Sequence, residues 1–184
     1  RHAGAMMGSG GLVVLDEAYA AFSGVTMIDE LARHPNLVVI QTLSKSYSLA
    51  GLRVGLAFGS PEIIEAFYKV KDSYNVDAFA QAVAYAALTD VGYMKENAAR
   101  IIQTRLAAVD ELSRRGFRVY PSSANFVFAE HKKLSGREVY EGLKERGVLV
   151  RYFNQRRLTG GVRITMGTEE GMARLYAALD EIVS

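Results

Sequence analysis

Three short runs of consecutive apolar residues punctuate the first third of the chain: Leu12–Leu15, Leu37–Ile40 and Val54–Phe58. Each is shorter than a typical helix. Each is closed by polar or turn-forming residues, Asp16-Glu17 after the first, Gln41-Thr42 after the second and Gly59-Ser60-Pro61 after the third. Strands that alternate apolar and polar residues belong to sheets wetted on one face, whereas unbroken apolar strands are buried on both. The runs therefore predict a mainly parallel sheet covered on both faces by helices, an α/β fold.

The intervening segments agree with that class. Met27–Arg33 has a short helical pattern, stopped by His34-Pro35. From Pro61, the segment PEIIEAFYKVKD places Ile63, Ile64, Phe67 and Val70 at helical spacing, with proline in the first turn where its missing N–H costs nothing. Asp77–Arg115 reads as a long helical stretch divided near Asp90–Gly92. FRVYPSSANFVFAE reads as two strands around a turn. SGREVYEGLKERG offers Ser135 as an N-cap and Gly147 as a C-terminal stop. VLVRYF and GVRITMG are predicted strands. Thr168–Val183 is predicted to be a closing amphipathic helix, with Thr168 as its cap and Glu169-Glu170 in its first turn. The pattern shifts near Asn75, so residues 1–75 are expected to form part of a sheet domain and 76–184 linking helices and a smaller α+β domain. RHAGAMMGSGG, residues 1–11, reads as vector-derived residues or, in the favoured reading, as the tail of a helix that begins upstream, with Gly8–Gly11 as a turn before the first strand.

Composition removes several function classes. The chain of 184 residues has no cysteine, which excludes disulfides and thiolate chemistry. A net charge of +2 without clustered basic residues argues against nucleic acid as a partner. No apolar run approaches the ~18 residues a membrane helix needs, and no signal peptide is evident; a cytoplasmic location is expected. His2, His34 and His131 lack metal-ligand spacing, so no metal is expected. Ser44 beside Lys45 could suggest a hydrolase dyad, but adjacent side chains point apart and no G-x-S-x-G elbow occurs.

In a parallel α/β sheet, ligands gather at the carboxyl ends of the strands. Here the first strand ends in Asp16-Glu17-Ala18-Tyr19 and the second in Thr42-Leu43-Ser44-Lys45, with Arg53 a few residues on. A carboxylate, a phenol, a lysine, two hydroxyls and a guanidinium are thus expected in one crevice. That set suits pyridoxal 5'-phosphate. An amine can join the cofactor aldehyde, and a carboxylate can keep the pyridine nitrogen protonated so that the ring acts as an electron sink. A phenol can hydrogen-bond the 3-oxygen, and hydroxyls with an arginine fork suit the phosphate.

LDEAY followed by TLSKSYSLAGLRVG resembles the fold-type-I pyridoxal-phosphate aminotransferases. KDSYNVDAFAQAVAYAAL, SSANFVF, GVLVRYF and GVRITMG extend the likeness, in the same order, to the histidinol-phosphate branch. The resemblance implies a partial PLP-dependent transferase fold and a catalytic Lys45, which joins the cofactor and shuttles the proton. It implies Asp16, Tyr19, Thr42, Ser44 and Arg53 as further cofactor-binding residues. Arg163 matches an arginine that grips a substrate carboxylate, and Arg151 matches a second substrate-facing arginine. Asn125 lies in a recurring string. Amino transfer between L-histidinol phosphate and 2-oxoglutarate, in histidine biosynthesis and in a homodimer with small-molecule substrates, is the implied activity. A threonine-phosphate decarboxylase or an aromatic aminotransferase would share the same cofactor residues; a non-catalytic domain is the alternative of another class. The match is to the C-terminal half of such enzymes, whose upstream half supplies the aromatic stacked on the ring, so these residues alone are expected to turn over little substrate.

Overall fold

The computed structural model describes residues 11–183. The helix tail and glycine turn expected over residues 1–11 lie outside the described residues except for Gly11. The chain divides into two compact units, Arg1–Ala98 and Ala99–Ser184. Asn75 lies between the second and third helices of the first unit.

The first unit is built on β1 (Val13–Asp16), β2 (Leu37–Thr42) and β3 (Gly55–Phe58), in that spatial order. β1 and β2 are parallel, with Asp16 opposite Ile40. β3 runs antiparallel to β2, with Thr42 opposite Gly55. The sheet is therefore mixed, with its antiparallel pairing at this edge, within the mainly parallel class the apolar runs suggested. The reason is the connection. Parallel strands need a crossover, usually a full helix, whereas an antiparallel return needs only a turn. Residues 43–54 supply turns and one 3-10 segment, Ala50–Leu52.

The two faces are covered unequally by the described elements of the first unit. On one face Val13, Leu37 and Val39 are buried beneath Met27, Ile28 and Leu31. On the other Val38 is fully buried, but Val14 and Ile40 remain 50% and 40% exposed. The described elements of the first unit do not close over those two positions. The helical pattern at Met27–Arg33 yields only a 3-10 turn at Ile28–Glu30. With proline at position 35, too few residues remain to offset the nucleation of a longer helix.

α1 (Ala20–Ser23) follows β1, and α2 (Pro61–Val70) follows β3. α3 (Ala78–Thr89) and α4 (Val91–Arg114) are separated at Asp90. Asp77 caps α3 by accepting from the Ala80 N–H at 2.8 Å, and Asp90 accepts from the Tyr93 N–H at 3.2 Å. Ala80 and Ala84 of α3 pack against Leu43 and Val54, at the two ends of the 43–54 loop. Their small side chains let the helix approach that loop closely and bury its roots.

The second unit is an antiparallel sheet ordered β4 (Phe117–Val119), β5 (Phe126–His131), β7 (Gly161–Thr165), β6 (Arg151–Tyr152). α5 (Gly136–Glu145) and α6 (Glu169–Val183) complete it. Val127, Val162, Leu143 and Leu179 are wholly buried in its core. α6 buries Met172, Leu175, Ala178 and Leu179, one face of a 3.6-residue repeat. Thr168 caps it as expected, its hydroxyl accepting from the Gly171 N–H at 3.2 Å. No helix among the described residues is long and apolar enough to cross a membrane.

Candidate functional site

Successive side chains of a strand point to opposite faces. Asp16 and its partner Ile40 therefore share a face, and Thr42, two residues on, shares it too. Glu17 and Gln41 belong to the other face. Asp16 is exposed, and its Oδ1 accepts from the Ala18 N–H at 2.9 Å, an Asx-type turn that fixes the carboxylate at the strand end. Its Oδ2 accepts no hydrogen bond among the described residues.

Directly after this turn the chain enters α1, and Tyr19 is the residue before the first helical position. The Tyr19 ring centroid lies 6.0 Å from Lys45 Nζ. Lys45 is half-buried and has no acidic partner within ion-pair distance among the described residues. An amine that no carboxylate clasps is left open to react, which is what a nucleophilic lysine needs.

Thr42 and Ser44 form a hydroxyl pair. The Thr42 hydroxyl donates to Ser44 Oγ at 2.9 Å and accepts from the Ser44 N–H at 3.1 Å. Leu43 N–H donates to the Val54 carbonyl at 3.2 Å, which closes the loop and brings Arg53 back beside the Thr42–Ser44 end. Arg53 sits at φ 56° and Ser48 at φ 58°, left-handed values that non-glycine residues rarely adopt. Strain of this kind persists where the surroundings over-determine the backbone, often at ligand sites. Arg53 Nη1 donates to the Ala50 carbonyl at 2.9 Å, leaving the rest of its fork exposed.

In the second unit Arg151 and Arg163 are directly paired across β6 and β7. Their guanidinium carbons lie 5.4 and 5.7 Å from the Phe153 ring centroid, and Arg163 also lies 5.0 Å from that of Phe126. Arg163 Nε is buried without a hydrogen-bond partner. Two like charges facing one another are unfavourable on a sheet, and a buried donor left unmade is costly. An anion would relieve both. The Asn125 carbonyl accepts from the Met166 N–H at 2.9 Å, tying the ends of β5 and β7, while its side chain makes no hydrogen bond among the described residues.

The structure thus groups Asp16 with Thr42 by face, Lys45 with Tyr19 by distance, Thr42, Ser44 and Arg53 by loop closure, and Arg151 with Arg163 by register. The residue that sequence reasoning misses is Glu17. It stands in the LDEAY motif with no role assigned to it, although the two-residue period of a strand already separates it from Asp16. Its carboxylate accepts from the Met27 N–H at 2.6 Å, from the Thr26 hydroxyl at 2.7 Å and from Gln41 Nε2 at 3.1 Å.

The fold and the motifs together define a transaminase-type α/β protein. A family model described as aminotransferase class I and II matches residues 5–179. The chain belongs to that family. It is 45% identical over 172 residues to the histidinol-phosphate aminotransferase of Geotalea daltonii, covering 94% of this chain and 50% of the relative. Among solved structures it resembles the histidinol-phosphate aminotransferase of Sinorhizobium meliloti in complex with pyridoxal-5'-phosphate, with TM-score 0.84, 30% identity and coverage of 94% and 48% of the two chains. The corresponding structure from Clostridium acetobutylicum gives TM-score 0.86 at 26% identity, with coverage of 94% and 54%. The chain spans about half the length of the curated relatives it matches.

Proposed function

We propose that the protein carries the lysine-bearing part of a pyridoxal-phosphate aminotransferase that moves an amino group between L-histidinol phosphate and 2-oxoglutarate. The observation that carries this reading is the half-buried Lys45 without an acidic partner, 6.0 Å from the Tyr19 ring centroid and one residue from the Thr42–Ser44 hydroxyl pair. The donor set fits the cofactor. Lys45 supplies an amine, Asp16 an exposed carboxylate with one free oxygen, and Thr42, Ser44 and Arg53 neutral and charged donors for a phosphate.

When bound, the cofactor supplies an electron sink for the pair left at the substrate α-carbon. Lys45 would hold it through its amine and would take up and return the α-proton, general acid–base work. Asp16 keeps the ring nitrogen protonated by its negative charge. Tyr19 donates to the 3-oxygen. Thr42, Ser44 and Arg53 hold the phosphate. Arg163 grips the carboxylate of glutamate or 2-oxoglutarate, and Arg151 the phosphate of the amino donor. Relatives named for this activity support the choice of substrate. A homodimer in the cytoplasm is part of the same proposal and is checked by sedimentation and cell fractionation.

Borohydride reduction with pyridoxal phosphate, followed by peptide mapping, tests the site. The expected result is one modified lysine, Lys45. A stable adduct elsewhere would overturn the assignment. Comparing histidinol phosphate, phenylalanine and threonine phosphate as substrates of the intact protein separates this activity from those of an aromatic aminotransferase and a threonine-phosphate decarboxylase.

A further inference from the structure

Glu17 lies next to Asp16 but points to the other face of the sheet, so it does not present its charge where Asp16 does. Its surroundings account for both of its oxygens. Oε1 accepts from the Met27 N–H at 2.6 Å; Oε2 accepts from the Thr26 hydroxyl at 2.7 Å and from Gln41 Nε2 at 3.1 Å. Its own N–H donates to the Ile40 carbonyl at 2.8 Å. One carboxylate therefore joins three pieces of chain: the end of β1, the end of β2 beside Thr42, and the segment that follows α1.

Between Glu17 and Met27 the chain leaves the strand, turns through Tyr19 into α1, stops at Gly24 in the left-handed region (φ 70°) and returns. The Glu17–Met27 and Glu17–Thr26 bonds close that excursion into a ring, and Tyr19 is carried on it. α1 spans only Ala20–Ser23, a single turn closed by the Gly24 N–H donating to the Ala20 carbonyl at 3.0 Å. The closure on Glu17, made by charge-assisted hydrogen bonds, the stronger kind, thus helps to set where the turn holds the Tyr19 ring relative to Lys45. Gln41, held by the same carboxylate, precedes Thr42, whose hydroxyl anchors the Ser44 end of the loop.

We propose that Glu17 is a positioning residue, which fixes the Tyr19 ring against Lys45 and the Thr42 hydroxyl at the end of β2 by closing the 17–27 ring on its carboxylate. The inference rests on the cofactor reading above. Glu17 touches no reacting atom. An amide cannot replace it fully, because three donors converge on a group that must accept all of them, and a Gln side chain has a single acceptor oxygen.

The test uses Glu17→Ala, Glu17→Gln and Tyr19→Phe in the intact protein, alone and as the double variant Glu17→Ala with Tyr19→Phe. Two quantities are read: pyridoxal-phosphate affinity by absorbance titration, and hydrogen exchange at the Met27 amide. Glu17→Ala is expected to weaken cofactor binding about tenfold, with a smaller loss in Glu17→Gln, and adding Tyr19→Phe is expected to cost much less than it does alone. Met27 exchange is expected to accelerate in both Glu17 variants. Additive losses, or cofactor affinity unchanged in Glu17→Ala, would overturn the proposal. If Glu17→Ala does not fold, Thr26→Val removes one donor and leaves the carboxylate; it must then weaken cofactor binding while retaining the fold, and unchanged binding counts against the proposal. Failure of the unaltered protein to bind pyridoxal phosphate at Lys45 would instead remove the cofactor reading and the inference built on it, whereas Met27 exchange would still report whether the ring closes on Glu17.

Discussion

Arg151 and Arg163 stand opposite one another in the β6–β7 ladder with the Phe153 ring within reach of both, and neither has a carboxylate at ion-pair distance among the described residues. The fold brings two cations together and leaves Arg163 Nε buried and unpaired. Such an arrangement is poor for stability and good for holding an anion. Arg163→Met is therefore expected to leave the melting temperature unchanged or raised in anion-free buffer. In the intact protein it should raise KM for the oxo acid about ten- to hundredfold, the worth of a charge-assisted hydrogen bond pair. Arg163→Lys should recover only part of the loss, because an ammonium does not reproduce the fork. Steady-state kinetics beside thermal melts with and without phosphate separate the two effects. A fall in stability equal to the fall in affinity would show that the pair is structural.

Arg53 combines a chemical and a conformational demand at one position. Its φ of 56° favours glycine, while the phosphate role proposed for it requires a guanidinium. Arg53→Gly and Arg53→Ala remove the same charge and differ in backbone freedom. Glycine is expected to be the more stable of the two by about 1 kcal/mol, since alanine retains the left-handed penalty. Cofactor affinity should fall alike in both. Urea denaturation and absorbance titration measure the two quantities. An affinity recovered by glycine would mean that the loop shape, and not the guanidinium, holds the phosphate.

The strands were legible because burial on both faces leaves an unbroken apolar run, and that burial is complete at Leu37, Val38 and Val39. Direction was not legible from the runs. A string such as Val54–Phe58 reads the same in a parallel or an antiparallel strand, and the discriminating information lay in the connection of residues 43–54, too irregular for a crossover helix. The chemical residues stood out by type and order. Their neighbours did not. Nothing in the spacing of Arg151, Phe153 and Arg163 predicts the register that places both cations by one ring. Glu17 escaped because its neighbour Asp16 offered the more obvious chemistry, and its partners Thr26, Met27 and Gln41 are defined only by the folded return of the chain.

The capping box of α5 should make stability depend on acid. Ser135 N–H and its hydroxyl both donate to Glu138 Oε2, at 2.7 and 2.8 Å, while the Glu138 N–H donates to Ser135 Oγ. The backbone hydrogen bond from Ser135, followed by that from its hydroxyl, holds the Glu138 carboxyl below its usual value. A carboxylate whose folded pKa is depressed contributes stability above its unfolded pKa, and that contribution is lost as pH falls through the folded value. Glu138→Gln should thus narrow the gap between unfolding midpoints at neutral and acidic pH. Denaturation curves at both values check this; an unchanged gap would show that other carboxylates dominate acid unfolding.

Two glycines of α5 predict opposite outcomes for the same substitution. A Cβ built on Gly136 would meet the Gly161 backbone, 2.6 Å from its nitrogen and 2.8 Å from its carbonyl carbon. A Cβ on Gly142 would meet the Ile182 side chain at 3.1 Å. In both places alanine gains helix propensity, at most about 1 kcal/mol. At Gly136 the obstructing atoms are main chain of β7 and cannot swing aside, so helix and strand must separate and overpacking, about 1–3 kcal/mol, outweighs the gain. At Gly142 the obstruction is the end of a flexible side chain, which can rotate. Gly136→Ala is therefore expected to lower the urea midpoint, and Gly142→Ala to leave it unchanged or raise it. If both variants lost stability equally, the close contact between the start of α5 and β7 would not be what sets their spacing.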